Sequence, residues 1–186
     1  DNYLFFTKVY ELRYYENVSA RYVKFEFDRG PSSVVFVSEA VVGATTPFEK
    51  TLTINDNTQC TLDDIHKIAY NIESNMTAET LLNNITSNGT ISIIDHDNHA
   101  ITGDVILKTG YKLKVTFDSQ TYIYKISIRG DVLGTGEVNK NDAKLIARHI
   151  INKTTITGEE YLLAADYDGN GKIKLSDVIK VIKDIK

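Results

Sequence analysis

Hydrophobic and polar residues alternate with a period of two through "KVYELRYY", "ARYVKFEF" and "SSVVFVSEAVV" near the start of the chain. That period places successive side chains on opposite faces of a strand, and β-branched and aromatic residues suit a half-buried pleated surface. "ENVS" and "DRGPSS" supply turn residues between them, so Lys8 to Val42 is predicted as consecutive antiparallel strands. Beyond "GATTPFEK" the strand patterns shorten and become more polar: "TLTI", "HKIAYNIE", "GTISIIDHD", "YKLKVTF" and "TYIYKISIRG". One helical stretch interrupts them, "NMTAETLLNNI", with Thr77 as N-cap, Glu79 in the first turn, and Leu81, Leu82 and Ile85 on one face. After Gly130 the spacing turns helical, with Ile146 and Ile150 in one run and Val178, Ile182 and Ile185 in another. The expected fold class is α+β: N-terminal β strands over 1–45, a small α+β module over 46–129 and an all-α end over 130–186.

The last segment repeats itself. An offset of 35 residues lays "DVLGTGEVNKNDAKLIARHI" over "DYDGNGKIKLSDVIKVIKDI", superposing Asp131 on Asp166, Gly136 on Gly171, Val138 on Ile173 and Asp142 on Asp177. Each copy reads as a twelve-residue loop followed by a helix. A hard cation such as calcium takes six to eight oxygens at about 2.3–2.6 Å, so a loop can wrap it only if alternate side chains point inward and the chain turns sharply at its middle. In the second copy Asp166, Asp168 and Asn170 offer side-chain oxygens, Lys172 its backbone carbonyl, and Asp177 a carboxylate from the start of the helix. Gly171 supplies the turn. Lys174 leaves room for a water, and the apolar Ile173 is expected to face the core beside Val138.

The first copy is poorer. Leu133 stands where the third ligand belongs and Thr135 offers a neutral hydroxyl, leaving Asp131, Asn139, Asp142 and the Glu137 carbonyl. Fewer carboxylates bind calcium more weakly. Two readings stay open: a weak site, or a loop that keeps its shape through Gly136 and its own hydrogen bonds.

Composition narrows the remaining classes. A net charge of −4, with Lys and Arg scattered, shows no footprint for nucleic acid or an anionic membrane. No apolar run approaches the roughly 20 residues of a membrane span, so no membrane insertion is expected. The leader of an exported protein is expected outside these residues. Cys60 is the single cysteine, which excludes an internal disulfide and a Cys-rich zinc site. "DHDNH", Asp95 to His99, has metal-compatible side chains but reads as a polar hairpin turn, and His149 reads as a surface or interface residue. No nucleophile pairs with a base among these positions, so this fragment is not expected to be an enzyme.

Three stretches of the chain resemble known families. "SARYVKFEF" with "SSVVFVSEAVVG" resembles the last strands of discoidin-like, carbohydrate-binding jelly rolls, which implies that 1–45 is the end of a larger β-sandwich. The "TLLNNI" helix and "KTGYKLKV" strand resemble the X-like modules that precede dockerins in clostridial and ruminococcal surface proteins, with a spacer or stabilising role. Gly130 to Lys186 resembles a dockerin: a duplicated EF-hand-like loop, one helix after each loop, and the intervening short helix "TGEEYLLAAD". Membership would imply a calcium-dependent plug that binds a cohesin on a scaffoldin or cell-surface protein. The setting implied is a secreted, bacterial surface-associated cellulosome, with a carbohydrate-active parent. In that family the partner is read by the tenth and eleventh loop residues and the following helix. These positions are Lys140, Asn141, Ala147 and Arg148 in the first copy, and Leu175, Ser176, Ile182 and Lys183 in the second. The two sets differ, which argues against docking in two equivalent orientations. The alternative is a calcium-stapled structural end of an extracellular protein with no cohesin partner.

Overall fold

A computed structural model describes residues 50–55, 58–118 and 120–185. The strands expected between Lys8 and Val42, and the jelly-roll resemblance, lie outside them. From Lys50 onward the chain clusters as one compact unit with two hydrophobic cores. Its elements are mixed α+β, eight strands and four helices among the described residues.

Two strands, β1 (Leu52–Ile54) and β4 (Ile85–Ser87), form a separate antiparallel ribbon. The main sheet has six strands in the order β2 (Thr61–Asp63), β3 (Ile68–Ile72), β8 (Gln120–Ile128), β7 (Lys112–Phe117), β5 (Thr90–Ile94) and β6 (Ala100–Ile101). All neighbours are antiparallel except β3 and β8, which run parallel, with Ile68 opposite Lys125 and Ile72 opposite Ile128. The segment between them is long enough to carry the chain back over the sheet, as parallel pairing requires. Part of it is α1 (Ala78–Asn83), whose first turn is capped by the Thr77 hydroxyl, accepting from the Thr80 N–H at 3.2 Å. Ile85, expected on the helix face, instead opens β4; it is buried all the same.

Strand β7 alternates as its sequence predicts. Leu113, Val115 and Phe117 are buried in the first core, whereas Lys114 faces out. Strand β8 breaks the alternation at its end, where Ile126, Ser127 and Ile128 are all buried. Ser127 faces away from the sheet core and donates its hydroxyl to the Glu160 carbonyl at 2.6 Å. That acceptor belongs to α3 (Glu159–Ala165), which lies over the outer face of β8 and β3. The helices α2 (Lys140–Ile150) and α4 (Leu175–Asp184) then pack on each other through Ala143, Ile146, Val178 and Val181. Val138 and Ile173, the paired apolar loop positions, both sit partly buried against this second core.

Candidate metal and docking site

The two loops repeat in their hydrogen bonds as well as their residues. In each, the sixth-position glycine has φ near +80° (83° at Gly136, 79° at Gly171), a conformation other residues rarely adopt. This turn aims backbone N–H groups at the first carboxylate. Asp131 accepts from Thr135 at 2.8 Å and Gly136 at 3.1 Å; Asp166 accepts from Asn170 at 3.1 Å and Gly171 at 2.6 Å. The twelfth-position carboxylate closes each loop and caps the helix behind it. Asp142 accepts from Leu133 and Asn139, both at 3.0 Å, and Asp177 from Asp168 at 3.1 Å and Lys174 at 2.8 Å. Both closing carboxylates are fully buried.

In the second loop Asp166, Asp168 and Asp177 each present an oxygen within 4.8 Å of the others. Asp166 and Asp168 are half-buried, while Asn170 and Lys172 are exposed. The Asn170 side-chain amide donates to Asp168. Three carboxylates converging on one volume at an open loop fit a hard divalent cation. Calcium would be held there by Asp166, Asp168 and Asp177, with the Asn170 side chain and the Lys172 carbonyl next along the loop. The ion would supply positive charge that lets three carboxylates share one site. Lys180 of α4 already reaches it, its Nζ 3.3 Å from Asp168 Oδ2.

The first loop brings only two carboxylates together. Leu133, at the third position, is exposed and carries no oxygen ligand. The Thr135 hydroxyl donates to the Glu137 carbonyl at 3.1 Å, so the fifth- and seventh-position oxygens face each other. Burial pushes the Asp142 carboxyl up, and the nearby Asp131 charge adds to the shift, against the N–H groups of Asn139 and Leu133. Asp131 itself is wholly buried. The other acidic group among the described residues, Asp95, Asp97 and His99, is the hairpin turn between β5 and β6. Asp95 Oδ1 there accepts from the Asp97 and His99 N–H groups at 2.9 and 2.8 Å, and Asn98 takes φ 66°.

The expected recognition residues divide by helix. Lys140, Asn141 and Arg148 are exposed on α2, whereas Ala147 is partly buried against the second core. On α4, Leu175 (63% exposed), Ser176, Ile182 (53%) and Lys183 all face solvent. Ile179, which sequence reasoning passed over, is 46% exposed on the same helix. Spacings of four and three residues put Leu175, Ile179 and Ile182 on one face, a signal present in the sequence but indistinguishable there from a core stripe. His149 accepts from the Ile156 N–H at 3.1 Å and so tethers the turn after α2.

Compared with known families, residues 129–186 match the model of the dockerin type I domain, which supports the dockerin resemblance for that third of the chain. Such domains are calcium-binding, cohesin-docking modules rather than catalysts. No curated protein and no solved structure matches the chain. Among the described residues no helix is long and apolar enough to cross a membrane.

Proposed function

We propose that residues 130–186 are a calcium-dependent plug that binds a cohesin in a single orientation, through α4. The observation that carries this reading is the outward apolar stripe of Leu175, Ile179 and Ile182, directly behind the loop whose carboxylates fit calcium. Solvent-facing apolar residues at consecutive turns of one helix mark an interaction surface. At the equivalent places on α2 stand Lys140, Lys144 and Ala147, two cations and a half-buried methyl group. The copies therefore present different chemistry, and only one matches an apolar groove. Lys183 and Ser176 flank the α4 stripe as its polar rim, and Arg148 and Asn141 lie outside the contact.

Residues 46–129 act in this reading as an X-like supporting module. The cohesin would belong to a scaffoldin or cell-surface protein, and the setting is a secreted, bacterial surface-associated assembly for carbohydrate degradation. Calcium in the second loop orders the start of α4 and with it the stripe, since an ion that binds only the folded form adds its binding energy to folding.

Titration against the cohesins of the same organism, in calcium and in chelator, tests the proposal. Binding in calcium alone is expected. Leu175→Glu and Ile182→Glu should each weaken it at least about tenfold, as buried interface anchors do. Lys140→Glu and Lys144→Glu should leave it within about threefold, the ordinary effect of a charge outside the contact. Failure to bind any of those cohesins would leave the calcium-stapled structural end as the better reading.

A further inference from the structure

The internal repeat sets one loop design in two surroundings, and the surroundings differ at the first carboxylate. Asp166 receives two N–H groups, one on each oxygen, both from its own loop. Asp131 receives three. Besides Thr135 and Gly136, the Thr109 N–H donates to Asp131 Oδ2 at 2.9 Å, from the connection between β6 and β7. Oδ2 thus accepts two donors and Oδ1 one, filling three of the carboxylate's roughly four lone-pair sites, whereas Asp166 has two left for a cation.

The Thr109 amide is held rigidly. Its side-chain hydroxyl accepts from the Ile128 N–H at 3.0 Å, Gly110 donates to the Ile126 carbonyl at 2.9 Å, and Thr109 is fully buried. The same connection presses on the loop's turn. A Cβ at Gly134 would meet the Thr109 carbonyl at 2.9 Å, and one at Gly136 would meet the Lys108 side chain at 3.0 Å and the Leu107 carbonyl at 3.3 Å. At Gly169 and Gly171, the matching places of the second loop, a Cβ would meet nothing within 4 Å. Leu133 brings no oxygen, and the Thr135 hydroxyl and Glu137 carbonyl are engaged with each other, which leaves the first loop the buried Asp142 carboxylate, itself accepting from Leu133 and Asn139.

We infer that the first loop holds no calcium and is closed instead by polypeptide: the Thr109 N–H stands where the cation's charge would act on Asp131, making the loop a fixed joint between the β module and the helical segment. The protein accordingly binds one calcium ion, in the second loop, a count that rests on the calcium reading of that loop. The ion then governs the α4 end, and the β module governs the Asp131 end.

Native mass spectrometry of the full chain, stripped with chelator and returned to calcium, is expected to show one specifically bound ion. Two ions would overturn the proposal. None would overturn the calcium reading of the second loop, and the count with it, which separates the two failures. An Asp166→Asn, Asp177→Asn double variant should bind no ion; one ion retained would place calcium in the first loop and overturn the inference. Amide exchange on the unsubstituted chain provides a measure that needs no variant to fold. Thr109 and Gly136 should keep the same protection in calcium and in chelator, whereas Gly171 should lose at least tenfold. Loss at Thr109 and Gly136 on chelation would show that an ion, not the β module, closes the joint.

Discussion

Lys180 places an ammonium at the second loop before any metal arrives, and its position sets a direct expectation. Its Nζ lies 3.3 Å from Asp168 Oδ2, with the lysine about half exposed. A cation entering the loop competes with that ion pair, so Lys180→Met should raise calcium affinity. The gain should not exceed about fivefold, since exposed pairs contribute no more than about 1 kcal/mol. Calorimetric titration checks it, and an unchanged or weaker affinity counts against the geometry. Nothing in the local pattern announces this contact, because it depends on how α4 folds back over the loop. Cys60 is simpler. It packs against the first core, and burial pushes its thiol up to about 12. Reactivity requires the thiolate, so alkylation of the native protein at pH 8 should run at least about tenfold slower than that of the urea-unfolded chain. Equal rates would contradict the packing. Here the sequence signalled only a lone thiol, not its surroundings.

The helices depend unequally on the loops that precede them. Helix α4 has ten residues, below the roughly 12–15 that stand alone in water. Its first turn is held by Asp177, one of the three carboxylates that converge in the second loop and on the proposed reading share a cation. Chelation should therefore unprotect the α4 amides and lower helical ellipticity, while Leu113, Val115 and Ile126 in the sheet stay protected. Equal protection of α4 in calcium and chelator would detach the helix from the metal. Helices α2 and α4, the short α3 and the Thr77 cap were all legible, since their signals repeat or lie within one turn. Strands β2, β4 and β6 were not, because two or three residues are too few to establish a period. Nor was the facing of α4: Val178, Ile182 and Ile185 share a helical spacing, yet Val181 is the residue buried with Val178, and Ile182 faces out. Several apolar residues on a short helix allow more than one inward face, and only the neighbouring helix chooses between them.

Two bonds from β8 to α3 tie the sheet to the helices, and they should not matter equally. Ser127 donates at 2.6 Å to the Glu160 carbonyl from a fully buried site, so Ser127→Ala removes a buried hydrogen bond and should cost about 0.5–1.5 kcal/mol. Lys125 pairs with Glu160 at 3.0 Å but is half exposed, and Lys125→Met should cost less than about 1 kcal/mol. Urea unfolding of the two variants decides the order; a larger loss at Lys125 would mean that surface charge, not the buried bond, joins the halves. Within the described residues, sequence alone determined the repeated loop, its oxygen donors, its glycine turn and the alternation of β7, because each is written within a dozen neighbouring residues. Tertiary structure decided the parallel pairing of β3 with β8, the burial of Ser127 under α3, the outward turn of the α4 stripe and the Thr109 amide on Asp131. Each of those joins groups from separate segments, and hydrogen bonds and burial act on proximity in space, which a local pattern does not record.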